Sequence, residues 1–167
     1  MSAKTQTEEF DTDAMFAKVE KIREAMEAGK PLSEALDIPE DQAEGMYFNG
    51  YSLYQMKKYK ESIVFFSLLA FLDMTNPRYL SALAANLQML DDHEAALPLW
   101  KKLTEIDSND KVHAIRLAEC LVALGQYEEA LAALQEAKEC TKFETCDPTV
   151  KQKLEQMLNL ISIKTSK

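Results

Sequence analysis

The side chains that could carry catalysis are few. The chain has two histidines, His93 and His113, and three cysteines, Cys120, Cys140 and Cys146. The cysteines do not have a zinc-site spacing, and His93 sits where two related segments carry tyrosine, which reads as a structural substitution. There is no glycine-rich phosphate loop and no HExxH, GxSxG or CxxC pattern. Carboxylate pairs such as Glu128-Glu129 fall on solvent-facing helix positions. This excludes an enzyme and implies neither cofactor nor metal. Cys120, inside the apolar run from Ala118 to Leu124, reads as a small core residue, and the odd cysteine count fits a reducing compartment. The chemistry that stands out is binding. Tyr47, Tyr51 and Tyr54 are spaced i, i+4, i+7, which places them on one helical stripe beside the packing stripe of Met46, Gly50 and Leu53. Tyrosine offers a large contact area, few torsions to freeze and a hydroxyl.

The elements that must position this stripe follow from a repeat. Ala43–Asn76, Pro77–Asp110 and Lys111–Glu144 superpose without gaps at a period of 34 residues. Tyr59, His93 and Tyr127 coincide, as do the small Ser62, Ala96 and Ala130, and the bulky Phe66, Trp100 and Leu134. Gly50, Ala84 and Ala118 share an earlier position, and Leu53, Leu87 and Leu121 another. That period is the tetratricopeptide repeat, a helix–turn–helix unit that buries its apolar face only by stacking on a neighbour. The expected fold is therefore all-α: three tandem repeats, 43–76, 77–110 and 111–144, after an N-terminal helical arm at 12–42 and before a capping helix and tail at 145–167. Residues 1–11 are expected to form a polar, disordered tail. In each repeat the first helix lines the concave side of the stack. The positions matching the tyrosines are Ser81, Ala85 and Gln88 in repeat two, and Ile115, Glu119 and Val122 in repeat three. An aromatic wall facing small and aliphatic residues suits an extended peptide with apolar anchors. The competing expectation is that the N-terminal helix covers the tyrosines as core.

Flanking segments are legible by the same rules. Asp11 or Asp13 can cap a helix over about 14–28 with Met15, Val19, Ile22 and Met26 on one face and Phe16 beside it. That face either packs on repeat one or, through Phe16, Val19 and Ile22, forms a self-association surface. A short helix is expected over 31–37. Asp147-Pro148 restarts a helix to about Ile163 with Val150, Leu154, Met157, Leu158 and Ile161 on its apolar face, and Pro98 is expected in about the first turn of its helix. The formal charge of −9 argues against nucleic acid, which demands a basic face. No apolar run approaches a membrane span, and the polar start lacks a signal-peptide core, so a cytoplasmic protein is expected.

The segments Tyr47-Phe-Asn-Gly-Tyr-Ser-Leu-Tyr54, Leu72-Asp-Met-Thr-Asn-Pro-Arg-Tyr79 and Ala118-Glu-Cys-Leu121 together resemble the class II chaperones of bacterial type III secretion, over roughly residues 31–137. The resemblance implies an acidic cytoplasmic chaperone without ATPase activity, whose concave groove holds an extended segment of a pore-forming translocator protein, and a homodimer through the N-terminal region. It carries the groove aromatics onto Tyr47, Tyr51 and Tyr54. Asn49 departs from the pattern, standing where the repeat has an apolar residue. Two other readings remain at this point. One is a repeat adaptor clamping a C-terminal carboxylate, for which the inward Tyr51, Ala85 and Glu119 lack the necessary cations. The other is an assembly scaffold with no secreted client.

Overall fold

A computed structural model describes residues 12–108, 110–139 and 147–165. Among these residues every regular element is a helix. In chain order they are α1 (Thr12–Ala28), α2 (Leu32–Ala35), α3 (Glu40–Gln55), α4 (Tyr59–Leu72), α5 (Pro77–Met89), α6 (His93–Ile106), α7 (Lys111–Ala123), α8 (Tyr127–Glu139) and α9 (Pro148–Thr165). The expected polar tail at 1–11, and Cys140 and Cys146, lie outside the described residues.

The starts and stops have local causes. Asn76, Asp92, Asp110 and Asp147 each accept a first-turn N–H at their helix starts, from Arg78, Ala95, Val112 and Thr149. Pro77 opens α5, where its missing N–H costs nothing. Each repeat's first helix closes with the same paired bonds. The Lys58, Asp92 and Gln126 amides donate to the carbonyls of Leu53, Leu87 and Leu121, at 2.9, 3.0 and 2.8 Å. This closure needs a left-handed residue, and Lys57, Asp91 and Gly125 supply it with φ of 59°, 63° and 76°. Only the third is glycine, so the first two turns carry some strain. Pro98 stands beyond the first turn of α6, deeper than the sequence implied. It is exposed, so the Glu94 carbonyl that loses its helical partner there has access to water.

The pairs α3–α4, α5–α6 and α7–α8 stack in order, and α9 packs on α8 and α7. The main core runs through α5 to α9: Leu80, Ala84, Ala96, Trp100, Leu103, Ala118, Leu121, Ala130 and Leu134 are buried, with Leu154 and Ile161 from α9 closing the end. The small positions are where helices cross. A Cβ built on Gly50 would stand 3.0 Å from the Phe65 Cβ and 3.1 Å from the Phe66 ring. At the same crossing the buried Ser62 hydroxyl donates to the Gly50 carbonyl at 2.8 Å and accepts from the Asn86 amide at 2.6 Å. Asn49 is exposed, so its polar side chain is not forced into the packing.

The arm departs from one expectation. α1 packs on α2, where Ile22 joins Ala25, Leu32 and Ala35 in a small cluster. Ile22 is thus a packing residue within the chain, whereas Phe16 and Val19 are 66% and 55% exposed. The tyrosines of α3 remain accessible from the groove, and the reading in which the N-terminal helix covers them is corrected.

Candidate functional site

Tyr47, Tyr51 and Tyr54 line one concavity with Phe66 from α4, Ser81, Ala82 and Ala85 from α5, Trp100 from α6, and Val112 and Arg116 from α7. Its volume is about 250 Å³, the scale of one or two amino-acid side chains. The three tyrosines are not equivalent. Tyr47 lies in a cluster with Ala43, Phe66, Leu69 and Tyr79, its ring 5.5 Å from Phe66 and 6.1 Å from Tyr79 between centroids. Arg78 crosses its other face with the guanidinium carbon 3.8 Å from the ring centre, and binds Glu44 at 2.5 Å. Tyr54 is half-buried with its ring edge-on to Tyr59 at 5.4 Å. Burial raises its phenol pKa, and the nearby Arg116 charge opposes that rise. Tyr51 lies near-parallel to Tyr47 and is 47% exposed, so about half of its surface is still available for contact. The stripe read from spacing as lying beside the core is therefore graded: Tyr47 and Tyr54 are shared between core and groove, and Tyr51 belongs to the groove.

The register positions on α5 and α7 divide. Ser81 and Ala85 face the concavity with the tyrosines. Gln88 instead lies in the joint between α5 and α7, its amide donating to the Arg116 carbonyl at 3.4 Å. Ile115 is 3% exposed and Val122 packs against the same core, so both are screened from the groove. Glu119 is held by Arg116 at 3.0 Å and by Lys153 of α9 at 2.7 Å. The capping helix packs on α7 and reaches this stripe at Glu119, through Lys153.

Sequence reasoning passed over Arg78, Ala82, Trp100, Val112 and Arg116. Arg78 and Val112 lie one helical turn before Ser81 and Ile115, so extending the groove stripe by a turn would have found them. Trp100 was read as filling a repeat, and it also floors the pocket. A larger cleft of about 630 Å³ opens between α6, α7 and α8, but its rim carries Lys101, Glu105, Glu136 and Glu139 and no aromatic residue. No group of His, Cys, Asp and Glu among the described residues is arranged to hold a metal.

The family description "Tetratricopeptide repeat" matches residues 42–76 and 88–145. Chaperone protein SicA of Salmonella typhimurium is 26% identical over 126 residues, spanning 75% of this chain and 76% of that one. The type III secretion translocator chaperone SycD of Yersinia enterocolitica superposes with a TM-score of 0.69 at 26% identity, over 78% of this chain and 90% of the other. This chain belongs to the tetratricopeptide-repeat chaperones of type III secretion. PcrH of Pseudomonas aeruginosa is similar to the chaperone as well, and its structure in complex with the chaperone binding region of PopD superposes with a TM-score of 0.69 at 25% identity, covering 77% and 96% of the two chains. No described helix of the chaperone is long and apolar enough to cross a membrane.

Proposed function

We propose that the chaperone binds an extended segment of a hydrophobic translocator protein in the groove between α3, α5 and α7, and so keeps that client soluble and fit for export in the bacterial cytoplasm. The single observation that carries this is the open pocket walled by Tyr47, Tyr51 and Tyr54 and floored by Trp100. An apolar side chain entering it loses water on several sides at once, and the aromatic walls confine it without having to reorganise. A holding chaperone of this kind needs no nucleotide cycle: release follows from competition for the client at the export machinery. The formal charge of −9 keeps the loaded complex soluble and away from anionic membrane. The relative PcrH, solved with the chaperone binding region of PopD, supports the same use of the fold here. The exposed Phe16 and Val19 of α1 support self-association through the N-terminal arm, with Ile22 holding that arm together from within.

Co-expression with candidate translocators tests the proposal. A translocator that is insoluble alone and co-purifies in stable ratio with the chaperone is the expected result. Translocators that stay insoluble with and without the chaperone would contradict it.

A further inference from the structure

We propose that the groove also reads charge: an acidic side chain of the client docks on Arg116 while a neighbouring apolar side chain fills the tyrosine pocket. The inference rests on the groove being the client site and adds the chemistry it selects.

Among the residues lining the pocket, Arg116 is the one that carries a charge. Its balance is incomplete. One guanidinium nitrogen, Nη1, binds Glu119 Oε2 at 3.0 Å, but the other oxygen of that carboxylate takes Lys153 Nζ at 2.7 Å. One carboxylate is thus shared between two cations, leaving a local surplus of positive charge. Arg78, the other cation at the groove, differs: Glu44 balances it and the Tyr47 ring stacks under it. The Arg116 side chain is 42% exposed, and its planar head has further N–H donors suited to a second carboxylate. Arg116 and Tyr54 line the same pocket, so a guanidinium and a phenol hydroxyl are available within one concavity. In a chain with a formal charge of −9 a groove wall would by default repel acidic segments. A lone surplus cation there favours a carboxylate at one place along the client and leaves it disfavoured elsewhere, which sets register more than it adds raw affinity.

The test uses the full-length chaperone and fluorescence anisotropy with amidated peptides of equal length, polar apart from one central leucine. The residue beside the leucine is Glu, Gln or Lys. The expected order is Glu over Gln over Lys, with the Glu and Lys forms separated by about tenfold and the gap narrowing as salt is raised. Arg116→Glu reverses the order. Arg116→Gln, the milder change should the reversal unfold the chain, removes the preference for Glu over Gln and keeps the need for leucine. Equal affinity for the Glu and Lys forms, or an order unchanged in the Arg116 variants, overturns the inference. Peptides whose binding ignores both the leucine and Tyr51→Ala, or that do not bind at all, overturn the groove reading beneath it. A Lys peptide with a free C-terminal carboxylate that gains as much as the Glu form shows that the site reads a chain terminus, and the side-chain form of the inference falls.

Discussion

Ser62 stands where Ala96 and Ala130 stand in the other repeats, and its hydroxyl links three helices through Gly50 and Asn86. The sequence showed that the position must be small; the hydrogen bonds were not legible, because Asn86 is 24 residues away and nothing local points to it. Ser62→Ala keeps the size but leaves buried polar groups of Gly50 and Asn86 without that partner. The expected loss is about 1–3 kcal/mol in denaturant unfolding, and a double-mutant cycle with Asn86→Ala should show the two residues coupled. Independent effects would detach the pair from the stability of the joint. Cys120 gives a second test at this scale. It was read as core, and burial does push its thiol up to about 11 from an ordinary 9.0. The unfolded chain then releases that proton at lower pH than the folded one. The contribution to stability is whole below pH 9 and drains away as pH climbs toward 11. The melting temperature of the native chain should fall across that window relative to Cys120→Ala. A constant difference between the two would contradict the buried neutral thiol.

The helices were the most legible level, because period, residue size and turn chemistry all pointed the same way. The pattern predicts helices over 59–72 and 93–106, which α4 and α6 match, and over 41–56, 77–90 and 112–124, from which α3, α5 and α7 differ by about a residue. The small residues at 96 and 130 are buried at crossings as their register demands. Ala130→Leu should therefore overpack the α7–α8 joint and cost roughly 1–3 kcal/mol, read as a lower melting midpoint. An unchanged midpoint would mean the crossing can open. What the pattern missed was the effect of the ends. The stripe Ile115, Glu119, Val122 matches the tyrosine stripe by register, yet Ile115 is buried, Val122 packs against the core and Glu119 is ion-paired to Lys153 of α9. Repeat arithmetic treats every copy as having identical neighbours, and the terminal copies do not. The outer face of α4 shows the same lesson: Val64, Leu68 and Phe71 are exposed, where repeats two and three carry Pro98, Lys102 and Glu105, then Ala132, Glu136 and Glu139.

For the whole molecule, the arm and the groove are separate surfaces. α1 rests on α2 with Phe16 and Val19 outward, so removing the residues before Gly29 should give a monomer whose repeats melt almost as before. Light scattering decides this, and a full-length chain that is already monomeric at high concentration would remove self-association from the account. The groove was half legible: i, i+4, i+7 spacing found the tyrosines, Ser81 and Ala85, but the floor and the charged end come from α6 and α7, which only stacking brings together. The central claim is that Tyr51, the groove member of the tyrosine wall, binds the client without being needed to hold the fold. It is 47% exposed and outside the Phe66–Tyr79 cluster. Truncating a binding-site aromatic commonly costs about 2 kcal/mol, roughly thirtyfold in affinity. The decisive measurement is titration of Tyr51→Ala with the client segment mapped by co-purification, paired with its melting curve. The account predicts a loss of about thirtyfold in affinity with a nearly unchanged melting temperature; normal affinity in a folded Tyr51→Ala chaperone would contradict it.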